Sequence, residues 1–248
     1  MTYRIAINGY GRIGRCVLRA FYESTSYSDM RLVAVNDLAD IANLSHLTRY
    51  DSTHGRFLGS VEMSSEAAQK NLIVNGDKIR VFNERDVRKL PWSELEVDLV
   101  MECSGAFKDR ETAQLHTAGG ASKVLFSQPA ESDVDATLVY GINHETLPPS
   151  ATIVSNASCT TNCIVPVLKT IDEVFKIESG VITTIHSAMN DQPVIDSYHD
   201  DLRKTRSAMQ SIIPVDTALA KGIERILPEL TGRLVARAIR VPTLNVSL

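Results

Sequence analysis

Arg4-Ile5-Ala6-Ile7-Asn8-Gly9-Tyr10-Gly11-Arg12-Ile13-Gly14 decides the fold of the first half of the chain. Residues 4–8 read as a short strand, and a helix is expected at once after them, from Gly11 to about Tyr22, with Val17, Leu18 and Phe21 on one side. Between the two, Gly9 permits a tight turn, Gly11 lets a pyrophosphate approach the backbone, and Gly14 allows close packing of the helix. The first N–H groups of such a helix lack partners within it and are offered to the anion. The next strand, Leu32 to Asn36, is followed by Asp37. A carboxylate at that position accepts from both ribose hydroxyls and repels a 2′-phosphate, so NAD is expected in preference to NADP. Arg12 and Ile13, in the turn, are expected to flank the phosphates. The plainer alternatives are a glycine-rich turn without a ligand and an Asp37 that only shapes a turn.

Outward from this stretch, apolar runs at Leu99 to Cys103, Val124 to Phe126 and Thr137 to Tyr140 alternate with longer amphipathic segments. That alternation signals a parallel sheet with crossover helices, hence an α/β chain that opens with a Rossmann domain. After Pro148-Pro149, a strand over Thr152 to Ser155 leads into a cysteine-containing run. Ile164, Val167, Leu168, Ile171, Val174 and Phe175 then share one helical face. Pro166 lies inside that helix and is expected to kink or loosen it. A strand at Val181 to His186, a polar connection from Asp191 to Ile213, a helix at Asp216 to Leu227 and a strand at Ala236 to Val246 complete the chain. The division expected is a dinucleotide-binding domain over 1–155 and an α+β catalytic domain with a mixed or antiparallel sheet over 156–248. So few elements in the second domain would leave strand edges and apolar faces uncovered, so the chain reads as a fragment, incomplete at its C-terminus.

With 248 residues, 44% of them hydrophobic and 23% charged, the composition is that of a soluble globular protein. A net charge of -4 with scattered Lys and Arg gives no polyanion-binding surface, so nucleic acid is not an expected partner. No targeting segment or bilayer-length apolar stretch is evident, so no membrane partner is expected and the cytoplasm is the expected location. Four cysteines are too sparse for a disulfide framework.

Cys159 falls at the junction of a strand and the following helix, where the macrodipole stabilises a thiolate and makes it a nucleophile. His186 ends a β-branched strand and could stabilise that thiolate and then act as general acid and base. Taken bare, a cysteine with a distant histidine reads more simply as a buried structural residue. Cys163 adds a C-x-x-x-C spacing, but without a second ligand pair this is poor zinc chemistry, so no metal is expected and Cys163 reads as a small buried residue. Cys16 and Cys103 read as core. His46, His54, His116, His144 and His199 have no evident catalytic partner.

Four runs carry a resemblance: Ala-Ile-Asn-Gly-Tyr-Gly-Arg-Ile-Gly-Arg at 6–15, Tyr-Asp-Ser-Thr-His-Gly-Arg-Phe at 50–57, Ser-Asn-Ala-Ser-Cys-Thr-Thr-Asn-Cys at 155–163 and Arg-Val-Pro-Thr at 240–243. In this order, along the whole chain, they resemble the glyceraldehyde-3-phosphate dehydrogenase family. The resemblance implies that Cys159 attacks a small phosphorylated aldehyde, that His186 takes the hydroxyl proton, and that hydride transfer to NAD leaves a thioester. It further implies that the Cys159 N–H and His186 hold the oxyanion, that Ser158, Thr160 and Thr217 contact anionic groups, and that Arg240 binds the substrate phosphate. Arg85 and Ser127 are implied near the dinucleotide. A homotetramer is implied for the full-length protein, with the connection over 188–211 reaching the neighbouring subunit's cofactor.

Four positions depart from the glycolytic pattern. Met189 stands where a Thr hydroxyl helps hold the substrate phosphate, and it cannot donate that bond. Thr217-Ala218 replaces the usual Thr-Gly of the acyl-acceptor phosphate site, and Asp216 adds negative charge beside it. Lys204 replaces an Arg, exchanging a bidentate fork for a point charge. The run His186-Ser187-Ala188-Met189, with Pro214-Val215-Asp216-Thr217, resembles the erythrose-4-phosphate dehydrogenase branch of the family, whose thioester is hydrolysed by water. A phosphorylating triose enzyme and a dinucleotide-binding fragment without turnover are the competing readings.

Overall fold

The computed structural model describes residues 2–66 and 69–248. The chain forms two compact units, Met1–Leu138 with Thr146–Ala157 and Val139–Glu145 with Ser158–Leu248. It therefore passes between units at 138/139, 145/146 and 157/158, where the sequence suggests a single break after 155.

The first unit begins with β1 (Tyr3–Asn8), α1 (Arg12–Glu23), β2 (Met30–Asn36) and α2 (Ile41–Arg49). A separate two-stranded ribbon pairs β3 (Tyr50–Asp51) with β4 (Gly55–Arg56). Then come β5 (Val61–Glu66), β6 (Gln69–Val74), β7 (Asp77–Phe82), β8 (Leu99–Glu102), α3 (Arg110–Ala118), β9 (Lys123–Phe126), β10 (Ala136–Thr137) and β11 (Ile153–Ser155). Among the described residues these build a nine-stranded sheet in the order β10-β11-β9-β8-β1-β2-β7-β6-β5. Pairing is parallel from β10 to β7 and antiparallel from β7 to β5. Sequence order reverses between β1 and β8, and at such a switch point the carboxyl ends of the strands open a crevice.

Both faces of β1 are covered. Ile5 and Ile7 pack with Leu18, Leu32 and Leu72, whereas Ala6 packs with Val33, Ala34, Trp92 and Val100. That double burial is why Ile5-Ala6-Ile7 is apolar at every position instead of alternating. The turn after β1 is equally constrained. Gly9 has φ +88°, and a Cβ there would lie 2.3 Å from the Ser104 nitrogen; a Cβ on Gly14 would lie 2.3 Å from the Gly9 oxygen. The expected strand over Thr137 to Tyr140 is shorter, ending at Thr137. β6 and β7 are joined by Asn75 and Gly76 with φ of 50° and 91°, a two-residue turn with both central residues left-handed.

The second unit contains α4 (Cys159–Phe175), β12 (Gly180–Ser187), β13 (Ile213–Val215), α5 (Leu219–Ile226) and β14 (Leu234–Val241). Its sheet has the order β12-β14-β13, with β12 and β14 parallel and β13 antiparallel to β14, so it is mixed. Val165 and Leu168 of α4 are buried, as are Ile213, Val215, Leu219, Ile223, Leu230 and Leu234. α5 sits tightly on the first turn of α4, since a Cβ on Gly222 would stand 2.9 Å from Thr161 Oγ1.

Three expectations change here. α4 runs unbroken through Pro166, whose carbonyl accepts the Thr170 hydroxyl at 2.9 Å. α5 starts at Leu219 instead of Asp216. The last strand ends at Val241 because Pro242 has no N–H to continue a ladder. The segment beyond folds back onto the free side of β12, where Ile185 and Leu248 exchange backbone hydrogen bonds of 2.8 and 2.9 Å. Among the described residues, no helix is long and apolar enough to cross a membrane.

The glycine geometry makes a prediction. Gly9→Ala forces a Cβ into backbone at a left-handed φ, and should cost about 2 kcal/mol or more. Gly11→Ala meets nothing within 4 Å and should cost less than about 1 kcal/mol. Urea unfolding of the two variants measures both, and equal losses would contradict the assignment of Gly9 to backbone packing.

Candidate functional site

In the first unit, a cleft of about 340 Å³ opens at the carboxyl ends of β1, β2 and β8, lined among others by Gly9, Gly11, Asp37, Arg85, Ser104 and Phe107. Gly9 donates its N–H to the Asn36 oxygen at 2.9 Å. The Asp37 carboxylate accepts the Tyr10 N–H at 2.8 Å and the Ala39 N–H at 2.9 Å, which fixes it at the rim. α1 starts beside the cleft with Gly11 as its cap and no side chain capping it. Gly9 and Gly14 are demanded by packing, but Gly11 is not, since a Cβ there would point into open space. A bare helix start with open space over its capping glycine fits a pyrophosphate, and Asp37 at the rim fits a ribose.

Not every expected cofactor residue lines this cleft. Arg85 does. Arg12 and Ile13 are exposed, with an Arg12 guanidinium N–H donated to Thr53 Oγ1 at 3.4 Å. The Ser127 hydroxyl is donated to Gln128 Oε1 at 3.0 Å, outside the lining.

Beneath the cleft lies a polar network that the sequence reading missed. Glu102 ends β8 fully buried, and its carboxylate accepts from Asn8 Nδ2 at 2.6 Å, from the Ser104 N–H at 2.8 Å and from His116 Nε2 at 3.0 Å. Trp92 Nε1 donates to His116 Nδ1 at 3.0 Å, so the proton of that ring sits on Nε2, facing Glu102. Asn36 donates through Nδ2 to Asn8 Oδ1 at 2.7 Å, and its own Oδ1 accepts the Glu84 N–H at 2.9 Å. His116 is thus a buried structural partner of Glu102. The visible signal was a carboxylate closing the apolar run Leu99-Val100-Met101.

In the second unit, Cys159 is the first residue of α4 and is exposed. Ser158 caps the helix by accepting the Thr161 N–H at 2.9 Å. Ala157 precedes it at φ 56°, a left-handed conformation that turns the chain sharply into the helix. The Cys159 sulfur stands 3.6 Å from His186 Nε2 and 3.8 Å from the Thr160 hydroxyl. His186 is half-buried on β12, registered against Arg240 of β14. An Arg240 guanidinium nitrogen lies 2.5 Å from His186 Nδ1.

Lys204 Nζ is 2.8 Å from the Asp191 carboxylate. Burial raises the Asp191 carboxyl, but the hydrogen bond and charge of Lys204, with the charge of Arg240, outweigh it and hold the group below the usual carboxylate range. Arg203 binds Asp201 at 2.9 Å and Asp216 at 2.8 Å, and that pairing lowers Asp216 likewise. The negative charge of Asp216 is therefore compensated, which its sequence position did not reveal. Thr217 and Ala218 are exposed ahead of α5, with Thr217 Oγ1 accepting the Leu219 N–H at 3.2 Å. Cys159, His186 and Arg240 thus come together with Ser158 and Thr160 beside the thiol. Thr217 and Ala218 lie immediately ahead of α5, whose Gly222 packs on Thr161 in the first turn of α4.

The other cysteines separate by environment. Cys163 is exposed, against the expectation of burial, because α4 turns this face outward. Burial pushes the Cys103 thiol up to about 11 and also raises Cys16.

Two family models match in chain order: glyceraldehyde 3-phosphate dehydrogenase, NAD binding domain, over residues 3–110, and glyceraldehyde 3-phosphate dehydrogenase, C-terminal domain, over residues 158–248. The chain belongs to the glyceraldehyde 3-phosphate dehydrogenase family. Its cofactor is NAD, and its two units are the Rossmann domain and the mixed-sheet catalytic domain of an NAD-dependent dehydrogenase of that family.

Two measurements probe this site. Gly11→Ala should fold normally but weaken NAD binding about tenfold, or ~1.4 kcal/mol, by closing the space over the helix start; unchanged affinity in a calorimetric titration would remove Gly11 from the cofactor site. Iodoacetamide near pH 8 should modify Cys159 and Cys163 and spare Cys103, as peptide mass spectrometry can establish. Labelling of Cys103 at the rate of Cys159 would contradict the raised, half-buried thiol.

Proposed function

We propose that this chain oxidises D-erythrose 4-phosphate to 4-phosphoerythronate, a reaction that serves pyridoxal phosphate synthesis in the cytoplasm. NAD, when bound, accepts the hydride. Cys159 attacks the aldehyde carbon as the thiolate, and its sulfur–carbon bond gives a thiohemiacetal whose oxygen is held by the Cys159 N–H at the helix start and by His186. His186 Nε2 first takes the Cys159 thiol proton, hands it to the forming oxyanion to give the hydroxyl, and takes it back as the hydride leaves, so that a thioester remains on Cys159. Water then attacks the acyl carbon, the sulfur–carbon bond breaks, and the acid and the free thiol are released.

Arg240 binds the substrate phosphate in this reading, and Ser158, Thr160 and Thr217 contact its anionic and hydroxyl groups. Gly11, Arg12, Ile13, Asp37, Arg85 and Ser127 serve the dinucleotide, the first three mainly through backbone at the start of α1. Water as acyl acceptor is supported by one observation above others. Both cations of the 202–205 turn are tied to carboxylates, Lys204 to Asp191 and Arg203 to Asp201 and Asp216. A dianionic acceptor must compete for those charges, whereas water need not. Met189, exposed and without a donor, fits the same branch.

The phosphorylating triose reading retains one argument, since Arg203 compensates Asp216 and removes a repulsion that would otherwise disfavour phosphate. A homotetramer through the 188–211 connection is part of the proposal, supported by the exposure of Val194, Ile195, Tyr198 and Leu202.

Initial rates of NADH formation from erythrose 4-phosphate and glyceraldehyde 3-phosphate, each with and without inorganic phosphate, decide between the readings. The tetrose should be preferred and phosphate should change its rate by less than about twofold, under ~0.5 kcal/mol. Strict dependence on phosphate with preference for the triose would overturn the hydrolytic reading.

A further inference from the structure

Glu102 and His116 are fully buried, neither lines the NAD cleft, and the proposed reaction leaves both without a task. Asn8, Asn36 and Ser104 do line the cleft, and all three are tied to the Glu102 carboxylate, Asn36 through Asn8. The carboxylate divides its oxygens between two stretches of the wall. Oε1 accepts the N–H and the hydroxyl of Ser104, at 2.8 and 2.5 Å, and Ser104 Oγ in turn accepts the Ala106 N–H at 3.1 Å. The 104–107 stretch, which brings Ala106 and Phe107 to the cleft, is thereby wound around one oxygen. Oε2 accepts Asn8 Nδ2 at 2.6 Å and His116 Nε2 at 3.0 Å. With that nitrogen spent on Glu102, Asn8 offers Oδ1 to Asn36 Nδ2 at 2.7 Å. Asn36 then closes two bonds on the Glu84 backbone, donating to its oxygen at 2.9 Å and accepting its N–H at 2.9 Å. Glu84 and Arg85 are the second stretch of wall.

We propose that Glu102 is a positioning residue for the cofactor: one buried carboxylate, acting through Ser104 and through Asn8 and Asn36, holds the 84–85 and 104–107 stretches in the arrangement that receives NAD. The direction of every bond follows from the carboxylate. A carboxylate only accepts, whereas an amide can present either end. Glu102 therefore dictates which end of Asn8 faces it, Asn8 dictates the same for Asn36, and Asn36 is left with the pair of atoms that matches the Glu84 backbone. Trp92 Nε1 donates to His116 Nδ1 at 3.0 Å, which keeps the Nε2 proton on the Glu102 side and fixes the carboxylate from behind. Walls held in place before the ligand arrives spare binding the cost of ordering them. The proposal rests on NAD as cofactor and is independent of which aldehyde is oxidised.

Glutamine at position 102 keeps the shape and removes the acceptor. Its oxygen can still serve Ser104, but its nitrogen then stands where Oε2 stood and confronts the donors of Asn8 and His116. Turning the amide over moves the conflict to Ser104. In the first orientation Asn8 must flip, its nitrogen meets that of Asn36, and the clamp on Glu84 is lost. In the second, the 104–107 stretch loses its anchor. Either way the cleft changes although no residue lining it has been replaced.

Calorimetry of NAD binding to the full chain carrying Glu102→Gln, below its own thermal unfolding transition, tests this. NAD should bind about tenfold more weakly. Iodoacetamide should label Cys159 of the ligand-free variant within about twofold of the wild-type rate. In turnover with saturating erythrose 4-phosphate, KM for NAD should rise while kcat stays within about twofold. If Glu102→Gln does not fold, His116→Asn replaces it, since an asparagine keeps an acceptor for Trp92 and withdraws the Nε2 donor from Glu102; NAD binding should weaken there too. Wild-type NAD affinity in the folded variant overturns the proposal. A loss of affinity matched by an equal slowing of Cys159 labelling marks general damage and overturns it as well. A variant that binds NAD weakly while the wild type fails to oxidise the tetrose leaves the proposal standing and removes only the proposed substrate.

Discussion

Asn8 at the end of β1 is registered with Asn36 of β2 on one side and Glu102 of β8 on the other, and parallel pairing brings all three to the same level. Each ends an apolar strand, so polar side chains converge where the sheet stops and the cleft begins. The buried Glu102 carboxylate can persist there only because its lone pairs are taken by Asn8, Ser104 and His116. Removing any one of those donors would leave part of a buried charge unpaired, which costs more than the lost bond. Ser104 is also the residue that Gly9 must approach without a side chain. The glycine turn at the rim of the cleft and the carboxylate network beneath it are therefore built as one unit.

The second unit obeys the same rule with different residues. Parallel pairing of β12 with β14 puts His186 beside Arg240 near the carboxyl ends of both strands. Ser158 supplies the cap that starts α4 at Cys159, so the thiol sits at the positive end of a helix. Neither placement depends on long flexible side chains finding each other. Backbone register fixes the histidine and the arginine, and a cap fixes the cysteine, which suits groups that, in the proposed reaction, must meet a reacting carbon within a fraction of an ångström.

Much of this was legible because the signals are local. The strand, glycine turn and helix start at 4–15 fall within one short run, and the cysteine run announces a helix start by its own capping serine. Other local signals were present but unread. Asn75-Gly76 between apolar strands is a hairpin turn on its face, and Asp40 and Asp109 cap α2 and α3 by accepting N–H groups three residues on. The remainder was hidden because it is tertiary. Glu102 and His116 are separated by 14 residues, Arg203 and Asp216 by 13, and His186 and Arg240 by 54. The outward face of Cys163 depends on what packs against α4, which helical periodicity alone does not settle.

Asp216 shows how a pair unseen in the sequence redirects an argument about chemistry. Alone, its carboxylate would repel a phosphate acceptor. Held by Arg203, it contributes little, and its side chain is 91% exposed, so water screens what is left. The weight passes to Lys204, whose ammonium a phosphate would have to win from Asp191. Both partners are partly exposed, and such a pair is worth about 0–1 kcal/mol, less than a tenfold effect on a rate. On the proposed hydrolytic reading, Met189 in place of a hydroxyl donor and the methyl of Ala218 are further small terms of the same sign. Choice of acceptor in such a site is the sum of several weak preferences, so no one of Met189, Lys204, Asp216 or Ala218 carries it by itself.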